Sequence, residues 1–181
     1  MERKQILKLV LVALFTALIT AGAYIKIPVG PVPVSLCTFF VNLTASCLPL
    51  PLALATVLAY LFLGIIGLPV FTSGGGLAAL MGPTGGYLVG YIPSALFGAL
   101  VMKLLGKNIR IASFLSAVVS TAFFYVVGLP WLSLMLDLPL SGTLGAGLFP
   151  FIFGDVLKII VATLVTPSVR SRVTELLECE E

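Results

Sequence analysis

From Ile27 to Met102 the chain carries no Asp, Glu, Lys, Arg or His, and that gap decides what kind of molecule it can be. A soluble domain covers its surface with charge, at roughly a quarter of its residues. Here 9% are charged and 60% hydrophobic, so most of the chain must lie out of water, as in an integral membrane protein. A membrane β-barrel would alternate polar and apolar residues. Stretches such as Leu52–Ile66 and Ile159–Val165 are apolar on every side instead, which makes the spans helices that satisfy their own backbone. At about 20 residues per crossing, the 181 residues allow about six crossings. Residues 1–181 therefore read as a single all-α, polytopic membrane domain with no room for a separate soluble one.

Spans are expected at about 8–25, 36–48, 51–66, 84–104, 110–127 and 149–169. Pro28, Gly30, Pro31 and Pro33 break the first connection, and Pro49 and Pro51 mark a tight second one. The third, 67–83, is rich in glycine; Lys103–Arg110 forms the fourth. The fifth is expected from Gly128 to about Leu148, with Trp131, Asp137 and Pro139 in an interfacial segment and a short helix after Ser141. Met1 to Lys26 has the basic start and apolar run of a signal peptide, but Leu9–Ile25 is longer than the usual 7–15 residue core. An uncleaved first span is expected.

The basic residues cluster at Arg3, Lys4 and Lys8, at Lys103, Lys107 and Arg110, and at Arg170 and Arg172. By the positive-inside rule, six spans with both termini cytoplasmic put nine of the ten basic residues on or next to that side or within the last span, Lys26 being the outward exception. Five spans would place Arg170 and Arg172 outside. The acidic tail, Glu175, Glu178, Glu180 and Glu181, reads as a solvated cytoplasmic end. The two cytoplasmic loops are then short, and the three external ones are long and rich in Gly and Pro. Irregular backbone at membrane depth has to be buried in protein or line a cavity, so three such loops on one face imply a lid over an external ligand pocket.

Within the last span, Asp155 and Lys158 stand three residues apart, which places them on one helical face within reach of each other. An ionisable residue at the centre of a span costs about 2.5–3.5 kcal/mol on insertion scales. The two either neutralise each other so that the span is tolerated, or they bind something; leucine in both places would cost less than the pair. Pro150 suits a first helical turn, which sets Asp155 near the positive end of that helix dipole. Gly82-Pro83-Thr84-Gly85-Gly86-Tyr87 opens the fourth span: Gly85 and Gly86 let a ligand approach the backbone closely, and Tyr87 offers a flat ring with a polar tip. Gly82 and Gly86 continue through Gly90, Ser94 and Gly98 at four-residue spacing, a small-residue stripe suited to helix packing. Ala13, Ala17 and Ala21 form a second such stripe, for an internal neighbour or a partner.

Several function classes are excluded or disfavoured. Gly74-Gly75-Gly76-Leu77-Ala78-Ala79 matches a dinucleotide fingerprint formally, but that motif needs a strand and a βαβ unit. No phosphate-binding G-x-x-x-x-G-K-[ST] loop exists, so the chain does not hydrolyse ATP itself. With no histidine, neither a Ser-His-Asp arrangement nor a His-bound metal is available, and Cys37, Cys47 and Cys179 show no metal or disulfide spacing. There is no basic patch for nucleic acid. One carboxylate in the spans is too few for a multi-carboxylate ion relay. A binding or transport subunit without metal or cofactor is expected, not an enzyme.

Val32-Pro33-Val34-Ser35-Leu36, Gly64 through Phe71, Gly82 through Leu88 and Pro150 through Lys158 together resemble the BioY family. These are the biotin-specific substrate-binding (S) components of energy-coupling-factor (ECF) transporters. The resemblance runs in order from about residue 6 to 165. It implies six helices, biotin held near the external face, and coupling in the cytoplasmic membrane to a transmembrane T subunit and two ATPase subunits. It also implies pocket roles for Gly85, Gly86, Tyr87, Asp155 and Lys158, and a T-subunit interface at Ala13, Ala17 and Ala21. Cys37 departs from the family, in which glutamine is expected there. Biotin suits the residues: its ureido group offers two N–H donors and a carbonyl, and its valerate tail ends in a carboxylate. Lys158 could serve either the ureido carbonyl or the carboxylate. The competing readings are an S component for another small vitamin and a self-sufficient secondary transporter with Asp155 carrying a proton.

Overall fold

A computed structural model describes residues 3–178; Cys179, Glu180 and Glu181 lie outside the described residues. The fold is a helical bundle: α1 (Arg3–Tyr24), α2 (Cys37–Cys47), α3 (Leu50–Ile65), α4 (Leu77–Leu80), α5 (Gly85–Leu105), α6 (Ile109–Leu136), α7 (Leu140–Gly147) and α8 (Phe149–Glu178). Two short strands, β1 (Lys26–Ile27) and β2 (Val34–Ser35), pair antiparallel between α1 and α2, with Lys26 opposite Ser35. Four helices, α1, α5, α6 and α8, are long and apolar enough to cross a membrane; α2 and α3 are shorter apolar helices. Large apolar side chains such as Leu14, Phe62, Leu104, Phe153 and Leu164 point outward, as expected of an all-α membrane protein whose outer solvent is lipid.

The short α2 stands in the middle. Nine of its 11 residues are buried, and it is packed by α1, α5, α6 and α8. Three of its polar residues, Thr38, Asn42 and Ser46, fall on one row at four-residue spacing, and each finds a neighbour on another helix. Thr38 Oγ1 accepts from Lys158, Asn42 donates to Thr121 Oγ1 at 3.0 Å, and Ser46 Oγ meets Ser116 Oγ at 3.0 Å. Arg170 Nη1 donates to the Ser46 carbonyl at 2.8 Å and so ties the far end of α2 to α8. Buried polar groups need such partners because an unpaired one costs about 1–3 kcal/mol.

The small-residue stripe of α5 is a packing surface against α6. Ser94 Oγ donates to the Ser120 carbonyl at 2.7 Å. A Cβ at Gly90 would stand 3.1 Å from the Phe124 carbonyl oxygen, and one at Gly98 would stand 2.8 Å from Ala45 Cβ. Van der Waals packing is what holds helices together in lipid, where apolar burial gives little.

Two expectations need correction. The fifth helix does not stop near Val127: α6 continues through Pro130 to Leu136, so Trp131 sits on a helix and not in a connection. Proline is tolerated in membrane helices where neighbours re-satisfy the freed backbone. What ends α6 is Asp137 in the left-handed conformation (φ 49°), with its N–H and that of Leu138 both closing on the Ser133 carbonyl, as helix C-termini commonly do. The last helix likewise runs past 169 to Glu178, through Pro167.

The contact at Gly98 gives a test. Gly98→Val should lower the unfolding midpoint in mild detergent by an overpacking cost of about 1–3 kcal/mol. Gly145→Ala, where a Cβ meets nothing within 4 Å, should leave the midpoint unchanged or raise it.

Candidate binding site

The hairpin, the 66–84 segment and α7 gather at one end of the bundle. Tyr24 donates to the Pro69 carbonyl at 2.6 Å, Tyr60 to Val70 at 3.1 Å, and Lys26 Nζ to the Thr72 carbonyl. The ring of Phe71 lies where a side chain on Gly64 would be, so a glycine in α3 is what lets the loop fold back onto the bundle. Beneath these segments is a narrow cavity of about 30 Å³. That is space for a water or two and well below the ~300–1,000 Å³ of most ligand pockets.

Asp155 and Lys158 form its charged wall, both more than nine-tenths buried. Lys158 Nζ lies 2.9 Å from Asp155 Oδ1 and donates at 2.9 Å to Thr38 Oγ1 on α2. The other carboxylate oxygen accepts from the Tyr125 hydroxyl of α6. Two protein partners therefore hold the ammonium, which has three donors, and each carboxylate oxygen keeps accepting capacity. One N–H of Lys158 and free lone pairs of Asp155 remain for a ligand.

The apolar wall is aromatic. Tyr91 stacks on Phe124 with ring centroids 5.5 Å apart and planes 14° apart, and Tyr87 lies 4.8 Å from the same ring. Tyr87 is clamped by small residues: its ring fills the space a side chain on Gly128 would take, and its hydroxyl donates at 3.0 Å to the Gly147 carbonyl. Its polar tip is thus taken by α7, which leaves the ring as its offering to the cavity.

Of the residues singled out by sequence, Tyr87, Asp155 and Lys158 line this cavity together; Gly85 and Gly86 do not. A Cβ on Gly85 would strike the Leu80 carbonyl, and one on Gly86 would strike Trp131, whose Nε1 donates at 3.0 Å to the Gly82 carbonyl. The two glycines make room for the seam between α4, α5 and α6 that holds Tyr87 in place. Thr38, Tyr91, Phe124 and Tyr125 were not singled out. A signal for Thr38 exists in the four-residue row Thr38, Asn42, Ser46. Ala13, Ala17 and Ala21 are exposed and line an open apolar groove of about 670 Å³ between α1 and α3, away from the cavity.

Comparison with known proteins matches this arrangement to a family. The family model described as "BioY family" matches residues 1–175. The chain belongs to the BioY family. It is 40% identical over 161 residues to the biotin transporter BioY of Thermotoga maritima, covering 87% of this chain and 92% of that one. It is 36% identical over 156 residues to a probable biotin transporter BioY of Pyrococcus horikoshii, covering 86% and 91%. The crystal structure of an S-component for biotin from an ECF-type ABC transporter superposes with a TM-score of 0.85 at 30% identity, covering 94% of this chain and 95% of that one. BioY is a transporter family and not an enzyme family.

The paired charges give a test that needs no ligand. Lys158→Met alone leaves the Asp155 carboxylate buried without its counter-charge and should destabilise the fold by about 3–5 kcal/mol. Adding Asp155→Leu should recover most of that loss, because an apolar pair of similar volume is often neutral or better. Unfolding of both variants in the same detergent measures the difference.

Proposed function

We propose that this chain is the biotin-binding S component of an ECF-type uptake transporter. The observation that carries the reading is the buried Asp155–Lys158 pair with its unused valences, in a chain of the BioY family. The ureido group presents two N–H donors and one carbonyl. Asp155 accepts from one N–H group and Lys158 gives its remaining N–H to the carbonyl. The bicyclic body lies against Tyr87, Tyr91 and Phe124. A donor then meets an acceptor at each charged residue, which is what a buried polar site needs.

In the same reading the chain crosses the cytoplasmic membrane six times, α2 and α3 being the short crossings, as one integral domain. Both termini are cytoplasmic, as the Lys and Arg near them favour, and the cavity end faces outside. Having no ATPase motif, the chain depends on a partner T subunit and two ATPase subunits. Ala13, Ala17 and Ala21 supply the face that meets the T subunit, a role favoured by their exposure and small size. Gly85 and Gly86 act on the ligand through the placement of Tyr87 and not by touching it.

Isothermal titration tests the ligand. Asp155→Asn and Lys158→Met should each weaken biotin binding by a hundredfold or more, since truncating one member of a buried charge pair costs about 2–5 kcal/mol in binding. Wild-type affinity in both folded variants would leave the pair a structural device. The partner face separates from the ligand site: Ala17→Trp should keep the biotin affinity of the isolated subunit yet reduce co-purification with the T subunit and ATP-driven uptake. Dispersion contacts are largely lost across a gap of about 0.5–1 Å. Undiminished uptake by a well-folded Ala17→Trp protein would refute that role.

A further inference from the structure

The one cation that breaks the positive-inside pattern has no role in the site described so far. Lys26 is the only charged residue between Val10 and Met102. Lys158 is already committed to Asp155 and Thr38, so the buried pair is neutral as a unit and provides no net positive charge for an acid. Lys26 stands where one is needed. Its strand partner in β2 is Ser35, a residue lining the buried cavity, and cross-strand partners project to the same face of a ribbon. Its ammonium donates to the carbonyl of Thr72, another residue of the cavity wall.

Above the cavity, an open depression of about 480 Å³ separates the hairpin from the 66–84 segment. Pro33 and Thr84 border both spaces, so the depression adjoins the cavity on its outer side. Lys26 is the only charged residue on its wall; the rest are small or rigid, including Pro28, Ser73 and Gly82. An exposed lysine held on a backbone carbonyl uses one of its three donors and keeps two for an anion.

We propose that Lys26 is the carboxylate-recognising residue of the site: a ligand whose polar head lies against the Asp155–Lys158 pair extends its acidic tail outward to the Lys26 ammonium. The assignment rests on the ligand reading above and deepens it. It divides the ligand's recognition between two lysines, Lys158 for the neutral head and Lys26 for the charged end. It also explains why a positive charge is kept on the outward side of the hairpin, where topology disfavours it.

Binding of biotin and of biotin methyl ester to the full-length protein in detergent, by titration calorimetry, tests the assignment. Wild type should prefer the acid by roughly tenfold, the scale of a charge-assisted hydrogen bond at an open site, and the preference should shrink as salt rises. Lys26→Met should lose that preference while binding the ester as wild type does, and Lys26→Arg should retain it. A wild-type protein indifferent to the ester, or a Lys26→Met variant that still prefers the acid, would overturn the assignment. So would an equal loss of both ligands in Lys26→Met, which would make Lys26 a tie for the loops. Those results leave the ligand reading standing. A wild-type protein that binds neither ligand would overturn both.

Discussion

Two opposite charges held in a helix that faces lipid on its other side are the condition the rest of the bundle has to meet. Neither Asp155 nor Lys158 can be left alone at that depth, where an unpaired charge costs several kcal/mol. Their pairing on α8 neutralises them, but their remaining hydrogen-bonding capacity draws in α2 through Thr38 and α6 through Tyr125. Three helices distant in sequence are thereby tied at one level of the bundle. The same groups that hold those helices together present their leftover donor and lone pairs to the cavity. In the proposed function stability and recognition use the same atoms, so a variant has to be tested for both.

Around this polar centre the close approaches are made by missing side chains. Tyr87 occupies space left by Gly128 and is capped by the Gly147 carbonyl. Gly86 admits Trp131, and Gly64 admits Phe71. In each case an aromatic ring is locked by a glycine on another element, which gives a rigid apolar wall at little conformational cost. The loops are anchored to the helices by the same device. The irregular backbone at this end is therefore tied to the helices, even where residues 25–31 and 65–69 are exposed.

The sequence made the helical class and the Asp155–Lys158 contact readable, because each depends on composition or on spacing within a single helix. That Ala13, Ala17 and Ala21 share one face followed from the same periodicity, but their exposure did not. Thr38 and Tyr125 were hidden because their partner lies 120 and 30 residues away, and no local pattern reports such a distance. Gly85 and Gly86 show the limit of reading small residues. Spacing says that something comes close, but not whether it is a ligand or, as here, a carbonyl of α4 and an indole of α6. The length of α6 was misjudged for a related reason: Gly128 and Pro130 look like a break only when the helices that support them are unseen.

The shortness of α2 has a consequence for how such a site can change. At 11 residues it is about 16 Å long, little more than half of a hydrocarbon layer about 30 Å thick. Its first turn holds Thr38, and Lys158 is nine residues into α8, about 14 Å from that helix's start. The floor of the site therefore lies where α2 begins, and the hairpin closes the crater left above it. Depth is a matter of chain length, whereas the chemistry at the bottom belongs to a few side chains. A longer or shorter cargo can be matched by residues added to or taken from the hairpin, with the charged floor and its three helices left as they are.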